Sequence, residues 1–309
     1  MAIQTVLSRR DIEREVSRFE PFGKAFRTFH SEFDRERLFL REAPGDPCGA
    51  MAGHLADGRY LLHAFKYQFD PAACERAVFA LIEIFAAHLP VERAGLERIR
   101  GLFASRRLDA RDFIMTVFRN RGDQFLAILR GHGLEEDLAT LWAVYLARPF
   151  RVRAARHLCE EVTFFDWAGW GRGYCPICGH WPALARVRGE GGGRTLWCLS
   201  CGTTWPFERG ACVYCLNADR ERLGLPGPGD GPSARVHACH DCREYLKEIH
   251  CAGEAEGFPF DAWFLGTHAL DLFARGQGFV HASPLAVESD NTSSEAQLLT
   301  HRLRLPWDH

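Results

Sequence analysis

Four pairs of cysteines in a CxxC spacing constrain this chain more than any other feature of its sequence. The pairs are Cys175–Cys178, Cys198–Cys201, Cys212–Cys215 and Cys239–Cys242. Two thiolates separated by two residues can bind one ion from a single tight turn, and two such turns complete a tetrahedral site of four sulfurs. The four pairs together therefore predict two metal sites.

The intervals between the pairs predict which turns share an ion. Cys178 and Cys198 are separated by 19 residues, within the range usual for a two-knuckle ribbon, and Cys215 and Cys239 by 23, slightly more. Each interval can supply a hairpin, so we expect the first pair to join the second and the third to join the fourth. Cross-braced pairing is the alternative. Zinc and iron both suit sites of four thiolates, and the sequence does not choose between them.

The residue after each pair predicts a difference between the two sites. Gly179 and Gly202 follow the first two pairs, whereas Leu216 and Arg243 stand in the same place after the other two. Glycine tolerates the positive φ of such a turn and lets backbone N–H groups point at sulfur. We therefore expect more strained or more open turns at the second site.

The histidines near the pairs and the cysteines outside them could also bind a metal, but we expect structural roles for them. A full set of cysteines leaves no position for the neighbouring histidines in direct contact with the ion, so we expect an outer-shell or surface role for them. These histidines are His180, His237 and His240.

The cysteines outside the pairs are expected to be small buried apolar residues. They are Cys48, Cys74, Cys159 and Cys251. A thioredoxin-type redox pair and an iron–sulfur cluster fit the pattern less well, since no βαβ unit surrounds the pairs and their order is not that of ferredoxins.

Composition and charge narrow the classes of function. The chain has 309 residues and a formal net charge of −2. Two divalent ions, each held by four thiolates, would bring that charge to −6, which argues against a nucleic-acid binder. Ser8-Arg9-Arg10 resembles a twin-arginine start, but charged residues follow it where an apolar stretch should stand, and no apolar run is long enough to span a bilayer. We therefore expect a cytoplasmic protein without membrane insertion, in which paired cysteines bind metal.

The distribution of residue types predicts an α+β fold in four parts. Residues 1–168 are expected to form a helical domain, with Asp70 and Asp109 capping two helices and Pro149 ending or kinking a third. Residues 169–210 and 211–285 are expected to form two small rubredoxin-like or zinc-ribbon β modules, the second with a C-terminal helix over 261–275. Residues 286–309 are expected to form a polar tail. The sequence lacks HExxH, P-loop and GxSxG patterns, so we expect no enzyme.

The order of these parts resembles the formate dehydrogenase accessory protein family usually called FdhE. The resemblance rests on a helical first half, on the Cys-Pro-Ile-Cys-Gly sequence that starts at Cys175, and on the cysteine pairs that follow it through Cys242. The match is specific over residues 170–250, except that Arg243 replaces an expected glycine.

The resemblance implies a cytoplasmic assembly factor required for active respiratory formate dehydrogenase. Such a factor binds the catalytic subunit before that subunit is exported by the twin-arginine route, and the resemblance favours iron over zinc at two sites per chain. Two alternatives remain at this point: a rubredoxin-like iron carrier of electrons and a zinc-ribbon protein that binds nucleic acid.

Overall fold

The computed structural model describes residues 9–33, 39–41, 47–161, 167–189, 192–224, 234–251 and 258–281. The first half is mainly helical. Its helices are α1 (Arg9–Phe33), α2 (Pro47–Ala56), α3 (Pro71–His88), α4 (Arg93–Ala104), α5 (Ala110–Phe118), α6 (Gly122–Gly131) and α7 (Glu136–Glu161). A short antiparallel ladder of β1 (Phe39–Arg41) and β2 (Lys66–Gln68) lies among them. Within these ranges, no helix combines the length and the hydropathy that crossing a bilayer would need.

Two helices begin where the sequence predicts. The Asp70 carboxylate accepts a hydrogen bond from the Ala73 amide at 2.7 Å, and the Asp109 carboxylate accepts one from the Asp112 amide at 2.8 Å. Each bond satisfies an amide that has no partner inside the first helical turn. Both predicted caps are therefore confirmed.

Helix α7 continues through Pro149 to Glu161, so this proline does not end the helix, and the alternative of a kink stays a prediction. Proline removes one helical hydrogen bond and crowds the preceding turn. One face of the helix beyond it nevertheless remains buried, with Ala154, Ala155 and Leu158 each at most 4% exposed. Tertiary packing of this last part of α7 offsets the local cost.

The second half is organised around one sheet. Its strands are β3 (Leu184–Arg188), β4 (Arg194–Trp197), β5 (Thr204–Phe207), β6 (Ala234–Ala238), β7 (Glu244–Cys251) and β8 (Val280–His281). Their order is β5-β4-β3-β7-β6, and β8 also pairs with β7. The predicted hairpin is present as the antiparallel pair of β3 and β4. Strand β7 then pairs in parallel with β3, so the strands of both cysteine modules form a continuous sheet.

The C-terminal helical segment ties this sheet to the first half. The sequence predicts one helix over 261–275, but the structure has α8 (Phe260–Gly266) and α9 (His268–Gly276), separated at Thr267. Helix α8 packs closely on α1, where a Cβ added to Gly266 would lie 2.5 Å from the Val16 Cα. The break lets α8 pack on α1 while α9 contacts the sheet strands β6, β7 and β8.

The predicted class is confirmed: an α+β chain with a helical first part and two clusters of four cysteines in its C-terminal region. The boundaries proposed at residues 168, 210 and 285 stay predictions. The polar tail proposed for 286–309 lies outside the described residues.

Candidate metal centres

The eight paired cysteines gather into two groups of four. In each group the sulfur atoms all lie within 4.8 Å of one another. The first centre consists of Cys175, Cys178, Cys198 and Cys201, and the second of Cys212, Cys215, Cys239 and Cys242. The grouping follows chain order, as predicted, and differs from the cross-braced alternative.

The sulfur spacing fits a tetrahedral ion. A metal–sulfur bond of about 2.3 Å places two tetrahedral sulfurs roughly 3.8 Å apart. Two sulfur–sulfur distances in the first centre are 3.4 and 3.5 Å, and two in the second are 3.6 and 3.7 Å. A disulfide would need about 2.0 Å. The chemistry and spacing of the donors therefore fit one metal ion at each centre.

The four cysteine turns share one backbone geometry. In each turn, the amide of the residue after the second cysteine donates to the carbonyl of the first cysteine, at 2.9 to 3.1 Å. The amide of the first cysteine donates to the carbonyl of the residue two positions after the second cysteine, at 2.8 to 3.0 Å. The donors to the cysteine carbonyls are Gly179, Gly202, Leu216 and Arg243, with φ of +78°, +73°, +62° and +64°. A leucine and an arginine thus adopt a left-handed conformation that favours glycine.

We expect Leu216→Gly to stabilise the second centre by roughly 0.5–1 kcal/mol. Relief of about 1–2 kcal/mol of left-handed strain exceeds the roughly 0.5–1 kcal/mol of extra chain entropy that glycine loses on folding. The Leu216 side chain is 55% exposed, so little packing is lost. Urea unfolding of the metal-loaded protein measures the change.

Arg243→Gly is the matched comparison, and we expect it to destabilise. The Arg243 guanidinium lies 4.2 Å from the centre of the Phe279 ring and donates to the carbonyls of Gln277 and Gly278 at 3.1 and 3.2 Å. If both glycine substitutions lowered the free energy of unfolding equally, left-handed strain at Leu216 would not be what limits the stability of the second centre.

The two centres differ in exposure. All four cysteines of the first centre are buried, whereas Cys215 of the second is exposed and Cys242 half-buried. In the second centre, the hydrogen bond with Cys242 is the main cause that lowers the pKa of Cys212, to about 5. In the first, burial would raise the pKa of Cys201, but hydrogen bonds with the other three thiols bring it well below its usual value. Each centre thus contains a thiol that readily becomes a thiolate, the form that binds metal.

The first centre is docked on the helical half. The Leu61 and Leu62 amides donate to the Pro176 and Ile177 carbonyls inside the first cysteine turn, at 3.0 and 2.8 Å. The Asn120 side-chain amide donates to the Cys178 carbonyl at 2.9 Å. A Cβ on Gly179 would lie 2.5 Å from the Tyr60 ring, so this turn needs glycine for close approach as well as for its φ.

The neighbouring histidines lie outside both groups of four sulfurs. His180 is buried, and its Nδ1 lies 3.3 Å from the Cys178 carbonyl. Burial and the charge of Arg151 hold the pKa of His180 well below its usual value, so the ring is neutral. His237 is half-buried, and the Nε2 of His240 lies 3.3 Å from the Gly224 carbonyl.

The cysteines outside the pairs behave differently from one another. Cys74 is buried, as predicted, and burial raises its pKa to about 12. Cys159 is exposed and Cys251 half-buried, so the prediction of burial is wrong for these two. Cys159 lies near the end of α7, where one side of the helix faces solvent, and Cys251 ends β7. The side chain of Cys48 lies outside the described residues.

Comparison with known proteins finds similarity to proteins named FdhE. No protein-family model matches it. The "Protein FdhE homolog" of Aquifex aeolicus (strain VF5) is 23% identical over 229 residues, which cover 73% of each chain. "Protein FdhE" of Salmonella choleraesuis (strain SC-B67) is 28% identical over 119 residues, 37% of each chain. The crystal structure of the FdhE protein from Pseudomonas aeruginosa covers 90% of this chain and 95% of its own, with a TM-score of 0.51 and 18% identity, and so shares the fold. The chain is similar to FdhE proteins in sequence and shares the fold of one of them.

The structure also contains a functional candidate that the sequence analysis missed, Arg151. Arg151 on α7 is fully buried, and its guanidinium donates to Ser200, between the cysteines of the second turn, and to the Val117 carbonyl. It also donates to the Asn120 side-chain oxygen at 2.7 Å. A sequence signal existed, because Arg148 and Arg151 follow Tyr145 at intervals of three residues and so continue a buried stripe of α7.

Proposed function

We propose that this protein is an accessory protein required for the formation of active respiratory formate dehydrogenase. In this proposal it acts in the cytoplasm, binds the catalytic subunit before export, and is not itself the dehydrogenase. The similarity to proteins named FdhE supports the accessory role. The observation that carries the proposal is the similarity to an FdhE homologue over 73% of both chains.

We further propose that the paired cysteines are metal ligands and that each chain holds two ions. The ligands of the first ion are Cys175, Cys178, Cys198 and Cys201, and those of the second are Cys212, Cys215, Cys239 and Cys242. The resemblance favours iron, and zinc suits the same donors. A bound ion would cross-link two turns that have little core of their own, and iron would also exchange one electron.

The geometry suits a protein that presents an ordered surface to a partner. The turns of each centre are joined by the shared sheet, and the first centre is fixed to the helical half by backbone hydrogen bonds. A surface that is rigid before binding loses little conformational entropy on association. This is the physical advantage that metal-stiffened turns would give an assembly factor.

The second centre supports a second candidate function, that of an electron carrier. Cys215 is exposed at this centre, so a metal bound there would lie close to solvent and to any docked protein. Reversible bleaching of the iron-loaded protein by a reductant, at a rate that matches formate dehydrogenase maturation, would favour this role. A colourless zinc protein that still supports maturation would exclude it.

Deletion of this protein's gene is the direct test of the accessory role. We expect formate dehydrogenase activity to fall about tenfold or more in the deletion strain, a change well outside the scatter of an activity assay. A plasmid copy should restore it, and the catalytic-subunit precursor should co-purify with the tagged protein from the cytoplasm. Normal activity in the deletion strain would contradict the proposal.

Elemental analysis tests the proposed ligands separately. We expect two ions per chain after anaerobic purification, and replacement of iron by zinc after aerobic expression, since availability selects between metals that fit the same site. Folded protein with one ion or none would contradict the two-centre proposal without bearing on the accessory role.

A further inference from the structure

Arg151 has an environment that is unusual for a charged residue. It is 0% exposed and lies in the interface between α7 and the first centre. Its partners on the helical side are the Val117 carbonyl and Asn120, and its partners on the sheet side are Ser200 and the Nε2 of His180, the latter at 3.4 Å. His180 can accept this contact at Nε2 because its Nδ1 faces the Cys178 carbonyl.

Among the described residues, the hydrogen-bonding partners of Arg151 are all uncharged. An arginine buried without a counter-ion is strongly destabilising, since removal of an ion from water costs several kcal/mol. The contacts of Arg151 place its guanidinium beside the first centre: Ser200 stands between Cys198 and Cys201, and His180 stands two residues after Cys178. Four thiolates around a divalent ion carry a net charge of −2. The loaded first centre is therefore the anion that this arginine lacks.

From this arrangement we propose that Arg151 is the counter-ion of the first metal centre and couples occupation of that centre to its docking on the helical half. The inference rests on the proposal that the first centre binds metal. In the loaded protein, Arg151 neutralises part of the charge of the centre while its hydrogen bonds join α7 to the second cysteine turn. In the stripped protein the doubly negative loaded centre is absent, and the hydrogen-bonding partners of the same guanidinium are uncharged.

Arg148 provides an internal comparison one turn earlier on α7. Its guanidinium donates to the Asp261 carboxylate, which also accepts a hydrogen bond from the Tyr145 hydroxyl at 3.1 Å. Arg148 is likewise buried, at 8% exposed. The counter-ion of Arg148 is thus supplied by α8, whereas the counter-ion proposed for Arg151 is the loaded first centre. Substitution of the two arginines should therefore have different effects on metal binding.

The test follows metal affinity in the full chain. Cadmium serves as the probe because NMR resolves its signal at each centre, and a competing chelator gives the affinity of each. We expect Arg151→Met to lower the affinity of the first centre about tenfold or more, equivalent to roughly 1.4 kcal/mol, and to leave the second centre unchanged. Arg151→Lys, which keeps the charge, and Arg148→Met should each stay within about threefold of the wild type, under 0.7 kcal/mol.

The thermal midpoint separates this role from a merely structural one. Arg151→Met should narrow the difference in thermal midpoint between loaded and stripped protein, because it removes an attraction that reaches its full strength only when the metal is bound. Arg148→Met should lower both midpoints alike. If Arg151→Met does not fold, Arg151→Gln replaces it, since glutamine retains hydrogen-bonding capacity without charge.

The role of Arg151 would be overturned if its Met or Gln variant bound cadmium at the first centre as tightly as the wild type. In that case the thermal midpoints of the loaded and the stripped protein would fall by equal amounts. A wild-type chain that binds cadmium only at the second centre would overturn it together with the metal proposal for the first centre. That second result would leave the accessory role intact, because the gene deletion tests that role independently.

Discussion

Replacement of both Cys175 and Cys178 by serine is expected to unfold a large part of the chain, not just one turn. This pair supplies half of the fully buried first centre, and its turn accepts backbone hydrogen bonds from Leu61 and Leu62 of the helical half. Structural zinc sites contribute about 10–16 kcal/mol at neutral pH, which is comparable to the roughly 5–15 kcal/mol of stability of a whole protein. Loss of the first ion should therefore also destabilise the helices, which contact the first centre through the docked turn and Arg151.

The matched control is the double replacement of Cys212 and Cys215 by serine. This variant also removes half of one centre, but Cys215 is exposed and the second centre lies at the surface. Both double variants should contain one ion per chain in place of two, by elemental analysis. We expect the helical circular dichroism at 37 °C to fall strongly in the first variant and to persist in the second. Persistence in both would show that the first centre is an independent ribbon.

The sequence predicts features that depend on neighbouring residues. The CxxC turns, the hairpin between the first two of them and the caps at Asp70 and Asp109 are local, since each is specified by a few consecutive residues. The grouping of the cysteines by chain order follows from the same locality. These are the parts of the fold and of the candidate sites that reasoning from residue types recovers.

The features that sequence reasoning missed depend on long-range packing. The parallel pairing of β3 with β7 joins residues such as Ala185 and Glu248, and no local pattern specifies the partner of a strand. The break at Thr267 arises because α8 packs on α1 while α9 packs on the sheet. Arg151 was missed for a related reason: a charged residue on a helix is expected to face solvent unless its buried partner is known.

The second large effect is expected from Glu248→Gln. Glu248 lies on β7 and is 1% exposed, and its carboxylate is 3.0 Å from the Nε of Arg194 on β4, which is also buried. Arg194 donates in turn to the Ala211 carbonyl, immediately before the third cysteine turn, at 3.0 Å. This ion pair therefore crosses β3 and connects the strands of the two cysteine modules. Neutralising Glu248 leaves Arg194 as an unpaired buried charge, which typically costs about 3–5 kcal/mol.

The pH dependence of stability gives this prediction a specific signature. Burial would raise the pKa of Glu248, but the His250 hydrogen bond and the charges of Arg194, His237 and Arg235 lower it from 4.5 to about 2. A carboxyl with a depressed pKa contributes stability that is complete above its unfolded pKa and is lost as the pH falls through its folded pKa. The wild type should therefore exceed Glu248→Gln in free energy of unfolding by a constant amount above pH 4.5, and the difference should shrink towards pH 2. Cysteine titration is common to both chains and cancels in this difference.

The double variant Arg194→Met, Glu248→Gln identifies the source of the loss. If an unpaired charge is responsible, removal of Arg194 as well should recover a large part of the stability, because buried ion pairs can often be replaced by apolar side chains at little cost. Urea unfolding of the wild type, both single variants and the double variant forms a complete mutant cycle. Additive losses in that cycle would mean that Arg194 and Glu248 stabilise their strands separately, and the two cysteine modules would then be held together by the backbone pairing of β3 with β7 rather than by this buried ion pair.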